Sequence, residues 1–147
     1  MTADKIKARV LVFIQLICII FIFASGSPVA CHPLLLLLQI AGMAIGIWAL
    51  TVMGIGNMNI SPLVKQGAVL VTRGPYRLIR HPMYLTVLLV IWPLIIDHFS
   101  LLRITAGFVL TTDLIIKMLF EEGLLRKQFQ EYQSYMRNTK RLIPFIF

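Results

Sequence analysis

An all-α, multi-pass membrane domain is the fold class this sequence predicts, and three observations carry the prediction. Hydrophobic residues make up 59% of the chain and charged ones 14%, against roughly half and a quarter in soluble domains. Mean hydropathy is +0.86. Apolar runs recur at lengths that suit a bilayer. The 147 residues leave room for one domain, read as a transmembrane helical bundle of about four spans at residues 10–24, 33–53, 82–96 and 101–121. A long polar loop interrupts the spans, and an amphipathic helix follows them.

The first run follows a basic head of Lys5, Lys7 and Arg9 and ends at Ala24-Ser25-Gly26-Ser27-Pro28. A signal peptide shares that outline. Because a second apolar run follows at once and no secreted domain is present, a retained span is the expectation. Residues 33–53 form the cleanest span. The stretch 54–80 holds Gly54, Gly56, Asn57, Asn59, Ser61, Pro62, Gly67, Gly74 and Pro75, too long for a mere link in so small a protein. Its insert Ala68-Val69-Leu70-Val71 predicts an ordered, packed loop. The third run is short and carries Pro82 and Pro93, and the fourth is long but contains Asp113 and Lys117.

Lys and Arg orient the set. Lys5, Lys7 and Arg9 precede span one, Lys65, Arg73, Arg77 and Arg80 follow span two, and Arg126, Lys127, Arg137, Lys140 and Arg141 follow span four. The opposite loops are nearly bare, so both termini and the long loop are expected on the cytoplasmic side. The net charge of +8 does not point to nucleic acid, because the basic residues are interleaved with apolar runs rather than gathered on one helix or tail. Cys18 and Cys31 show no metal-ligand spacing and no basis for a disulfide, so no metal is expected.

Three groups of residues can carry chemistry. In Gly74-Pro75-Tyr76-x-x-x-Arg80-His81-Pro82-Met83-Tyr84, Pro82 suits the first helical position, which makes His81 the N-cap and puts Tyr84 about a turn on. A helix start beside Arg80 attracts an anion; interfacial anchoring is the competing reading. Asp113, Lys117 and Glu121 recur at i, i+4, i+8, a polar stripe of about 12 Å. Charge inside a span points to function, although the three also pair as a structural ladder. Glu122 is left over, at a helix end that disfavours negative charge. The third group, Phe129, Tyr132, Tyr135, Arg137 and Lys140-Arg141-Leu142-Ile143-Pro144-Phe145, reads as an amphipathic helix at headgroup level ending near Pro144, a surface anchor unless the tail closes over the loop.

Together, Leu70-Val71-Thr72-x-Gly74-Pro75-Tyr76-x-x-x-Arg80-His81-Pro82-x-Tyr84, Glu121-Glu122-x-x-Leu125, Phe129, Tyr132-x-x-Tyr135 and Arg141-Leu142-Ile143-Pro144 resemble the isoprenylcysteine carboxyl methyltransferase family, in its compact bacterial form. The resemblance runs from about Asn57 to the C-terminus. It implies S-adenosyl-L-methionine as cofactor, held at a cytoplasmic site formed by residues 57–84 and 117–145. A strand-like Ala68, Val69, Leu70 and Val71, with Tyr76, Arg80, His81, Pro82, Met83 and Tyr84, would line the cofactor, and Glu121 or Glu122 would meet its cationic or hydroxyl groups. It implies Lys117, with Arg137 and Arg141, as acceptor-binding residues, and Lys117, Glu121 and Arg141 as the catalytic set. The acceptor would be a lipophilic small molecule or a lipidated molecule arriving from the bilayer, and the compartment a bacterial inner membrane. Thr86 departs from the family's usual glycine, and Gln130 from another.

Two rivals remain at this stage. A membrane reductase of the sterol reductase type shares this architecture and would use NADPH, with Arg73, Arg77 and Arg80 available for its extra phosphate. A non-catalytic small membrane protein would use the stripe on the fourth span structurally.

Overall fold

The computed structural model describes residues 2–57, 61–63 and 67–143. Asn59, Lys65, Pro144 and Phe145, which entered the loop, charge and tail readings, lie outside the described residues. Five α-helices follow in order: α1 (Thr2–Ala24), α2 (Pro33–Asn57), α3 (Pro82–Asp97), α4 (Leu101–Gln128) and α5 (Tyr132–Asn138). A short 3-10 helix, Gly74–Arg77, precedes α3. Two stretches are long and apolar enough to cross a membrane, Ala3–Ala24 and Pro33–Gly54, while Pro82–Asp97 is a shorter apolar helix. α4 runs for 28 residues and carries Arg103, Asp113, Lys117, Glu121 and Glu122 within it.

Packing pairs α2 with α3 and α1 with α4, and α3 also touches α4 and α1. Cys18, Ile22, Ile91, Leu94, Ile95, Leu110 and Leu114 form the buried core. One end of the bundle is tied by polar groups. Arg103 is buried and donates to the carbonyls of Ile22 (3.0 Å) and Leu94 (2.6 Å) and to Ser25 Oγ (3.0 Å), which ties the C-terminal turns of α1 and α3 to α4. Asp97 accepts from the backbone N–H groups of Cys31 (2.8 Å) and His32 (3.0 Å), just ahead of Pro33, the first residue of α2. The opposite end is where the long loop and the tail meet.

Pro82 does open α3 with His81 as its N-cap, although the His81 side chain makes no capping bond. The loop departs from expectation at both ends. Helix α2 continues past Gly54, where the backbone turns into the left-handed region (φ 72°), and reaches Asn57. Ala68, Val69, Leu70 and Val71 are ordered without being a strand; the one β-bridge among the described residues pairs Ile79 with Lys140. Gly74 is required where the loop meets α2: its φ is 59°, and a Cβ there would lie 2.7 Å from Val52 Cγ2.

The tail is also corrected. Instead of a helix running to Pro144 along the surface, α5 is seven residues long, and the chain then returns in extended form against the loop. Arg80 N–H donates to the Lys140 carbonyl (2.8 Å), His81 N–H to the Arg141 carbonyl (3.0 Å) and Lys140 N–H to the Leu78 carbonyl (3.3 Å). Tyr132 is 1% exposed, so the aromatic face of α5 is turned into the protein. The pull of those backbone bonds and of the buried ring outweighs a lipid-facing orientation.

Candidate functional site

Loop, tail and helix ends enclose a cavity of about 390 Å³, a size ordinary for small-molecule and cofactor sites. Its lining comes from every long element: Gln15 of α1, Leu50, Met53 and Asn57 of α2, Tyr84 and Val87 of α3, Lys117, Glu121 and Leu125 of α4, and Tyr132 and Tyr135 of α5. Ala68, Val69, Leu70, Val71, Tyr76, Arg80, His81, Pro82 and Met83 complete the wall expected from sequence. Three residues named with them lie elsewhere. Glu122, Arg137 and Arg141 do not line the cavity, and Arg137 is exposed on α5.

The paired glutamates divide their work because neighbours on a helix point about 100° apart. Glu121 faces the cavity and accepts from the Tyr84 hydroxyl at 2.6 Å. The His81 ring stacks on Tyr84, centroids 5.3 Å apart and planes 5° from parallel, with Nδ1 3.9 Å from Glu121 Oε2. Glu122 points away, into a cluster of three arginines and His81. Arg80 Nε lies 2.8 Å from it, Arg141 Nε 3.3 Å, His81 Nε2 3.4 Å and Arg126 Nη2 3.8 Å. Burial alone would push this carboxyl up, but hydrogen bonds from His81 and Arg80 and their charges outweigh it and hold the group at about 2. The arginines answer the unfavourable placement of a carboxylate at a helix C-terminus. Arg80 also donates to the carbonyls of Met136 (3.2 Å) and Thr139, so its guanidinium fastens the tail rather than waiting for an anion.

Two phenols are held differently. Tyr76 and Tyr132 are buried to within 5% and 1%, and neither hydroxyl has a hydrogen-bond partner among the described residues, although both residues line the cavity. Burial first, then the nearby Glu121 charge, raises the Tyr76 phenol; burial first, then Glu122, raises Tyr132. Both therefore stay protonated as donors. Tyr135, by contrast, donates to the Tyr76 carbonyl at 2.6 Å and locks the 3-10 helix to α5.

One turn before Glu121 on α4, Lys117 also lines the cavity and is 1% exposed. Its ammonium donates to Gln15 Oε1 on α1 and lies 5.6 Å from the centroid of the Tyr84 ring. The stripe on α4 is thus not a simple chain of i, i+4 hydrogen bonds, because both Asp113 carboxylate oxygens are without a hydrogen-bond partner among the described residues. Sequence reasoning missed Gln15; the signal is a lone carboxamide in an apolar run. Thr86 faces α2 against Gly46 and Gln130 sits in the turn between α4 and α5; neither lines the cavity. No group of three or more His, Cys, Asp or Glu side chains among the described residues is placed to hold a metal ion.

At one end of a bundle of apolar helices the chain thus builds a largely apolar and aromatic cavity with a few ionisable groups, the kind of site a small cofactor occupies. In a comparison with protein families, a family model described as phospholipid methyltransferase matches residues 31–132. The chain belongs to that family of membrane methyltransferases, which are like the isoprenylcysteine carboxyl methyltransferases. No curated protein matches the chain. The matched range covers α2 to Tyr132, and leaves Gln15, Tyr135, Arg137 and Arg141 outside it.

Proposed function

We propose that the protein transfers a methyl group from S-adenosyl-L-methionine to a lipophilic or amphipathic acceptor that arrives from the bilayer. One observation carries the reading: the Glu121 carboxylate, the stacked rings of His81 and Tyr84 and the side chains of Tyr76 and Tyr132 line one cavity of cofactor size. The fit is chemical. Tyr76 and Tyr132, whose buried hydroxyls have no hydrogen-bond partner among the described residues, would turn them to the acceptors that an amino-acid carboxylate, a ribose and a purine offer, and Glu121 is an anion suited to a cationic partner. Tyr84, His81, Met83 and the wall from Ala68 to Val71 supply the apolar and aromatic contacts. The bound cofactor would supply an electrophilic methyl group on a sulfonium.

What this chain contributes is alignment and exclusion of water. Holding two reactants in line contributes about 7–11 kcal/mol in well-oriented systems. The Glu122 cluster makes the frame rigid by joining α4, the start of α3 and the tail. Lys117, held by Gln15, lines the cavity and would meet an acceptor's ionised group. A carboxylate acceptor is ionised at neutral pH and needs no base; for an amine or thiol, Glu121 is the base within the cavity. A phospholipid, named in the family's description, is one amphipathic acceptor of this kind. All four long helices cross the membrane in this reading, with both termini and the site on the cytoplasmic side of a bacterial inner membrane.

The NADPH reading has less support. Arg73 and Arg77 are exposed and outside the lining, and Arg80 is engaged with Glu122 and the tail. A thermal shift of the purified protein separates the two. Stabilisation by S-adenosylhomocysteine and none by NADPH is expected; the reverse result would overturn the proposal.

A further inference from the structure

One wall of the cavity is held in an unusual way. Ala68, Val69, Leu70 and Val71 all line it, yet they belong to no helix or strand. Among the described residues, no backbone–backbone hydrogen bond outside the helices reaches them. The carboxamide of Asn57 does so instead. Asn57 Nδ2 donates to the Val69 carbonyl at 3.1 Å, and the Val69 N–H donates to Asn57 Oδ1 at 3.0 Å. One side chain therefore stands in for a strand neighbour. Apolar burial adds little at this point, since Val69 is 70% exposed. Asn57 is the last residue of α2, three positions beyond the left-handed Gly54, and itself lines the cavity. A carboxamide suits the role because it presents a donor and an acceptor side by side, matching the backbone N–H and C=O of one residue; a carboxylate or a hydroxyl does not present that fixed pair.

We propose that Asn57 is a positioning residue for the methyl-donor site, latching the wall at 68–71 to the kinked end of α2 and so setting the shape of the pocket. The proposal rests on the S-adenosylmethionine reading of the cavity. It assigns to α2, otherwise a membrane helix, a direct part in forming the cytoplasmic site. Because the Val69 amide groups are near solvent, water can replace the carboxamide without harm to the fold, but not without loosening the wall.

The test uses the purified full-length chain and two variants, Asn57→Ala and Asn57→Asp. Amide hydrogen exchange is read by peptide in the ligand-free protein, and S-adenosylhomocysteine affinity is read by calorimetry. In Asn57→Ala, exchange at 67–72 is expected to speed up while exchange in α1–α4 and the Tm stay as in wild type. Affinity should fall about tenfold, the scale of two neutral hydrogen bonds lost from an ordered wall. Asn57→Asp keeps an acceptor for the Val69 N–H but sets a carboxylate against the Val69 carbonyl, and should behave like Asn57→Ala. Unchanged exchange at 67–72 in both variants would overturn the latch, whatever binds. Faster exchange with affinity within about twofold of wild type would overturn its role in the site. A wild-type chain that binds no S-adenosylhomocysteine would instead remove the donor reading on which the proposal depends, and the exchange data would still decide whether Asn57 holds the wall.

Discussion

Glu122→Gln keeps the size of a buried side chain and removes only its charge, which makes it a clean probe of the frame around the site. The Glu122 side chain is 2% exposed and lies within 4 Å of Arg80, His81, Arg126 and Arg141. Its carboxyl is held from the ordinary 4.5 down to about 2, which corresponds to about 3 kcal/mol of stability at neutral pH. That agrees with the roughly 3–5 kcal/mol lost when a buried ion pair is broken by removing one partner. Because the folded value is the lower one, the contribution is full above about pH 4.5 and is lost as pH falls through about 2. The variant should therefore unfold about 6–12 °C earlier at pH 7. At pH 3 the difference should shrink to less than half of that. Thermal unfolding of both proteins in the same detergent at the two pH values reads this directly. A loss below about 1 kcal/mol at pH 7, or an equal loss at both pH values, would refute the claim that the cluster around Glu122 holds tail, loop and α4 together.

Lys117→Met should leave S-adenosylhomocysteine affinity within about twofold but lower kcat/KM by roughly 10- to 100-fold through a raised KM for an anionic acceptor, with partial recovery in Lys117→Arg; parallel loss of cofactor binding and folded protein would make Lys117 structural. Gly46→Ala should destabilise by about 1–3 kcal/mol, because the new Cβ would sit 2.7 Å from Thr86 Cγ2. Adding Thr86→Ala should recover most of that loss in unfolding experiments, since the Thr86 Cβ itself is 3.4 Å away; a double variant no better than Gly46→Ala would show that the two sites do not meet. Reporter fusions at the two termini should both report the cytoplasm, and a split result would overturn the proposed orientation.

The parts of this fold that were legible are those written in local chemistry. Pro82 marked the start of α3 because its ring suits a first helical position and no later one. Long apolar runs marked α1 and α2. Tyr76, His81 and Tyr84 were legible as a group through a family pattern, and the choice between Glu121 and Glu122 stayed open until the helix's rotation was visible. The contacts that were not legible join residues far apart in sequence. Gln15 and Lys117 are 102 positions apart, and helical periodicity describes neighbours three or four positions away. The same limit explains the stripe on α4, where local spacing proposed a ladder and Lys117 instead reached across to α1. Aromatic and basic residues alternate in the tail as they would on an interfacial helix, but Tyr132 is buried and Lys140 bonds to the loop at Leu78. That pairing depends on the position of a loop that periodicity cannot place.

The most direct test of the donor site is S-adenosylhomocysteine calorimetry on wild type and Tyr132→Phe. The Tyr132 hydroxyl is buried and lacks a hydrogen-bond partner among the described residues, so its removal should leave the ligand-free protein as stable as wild type or slightly more so. If the cavity holds the cofactor through its unsatisfied phenols, affinity should nevertheless fall by about fivefold or more, the scale of one lost hydrogen bond to a bound ligand. No binding by wild type, or equal affinity in the two proteins, would contradict the account.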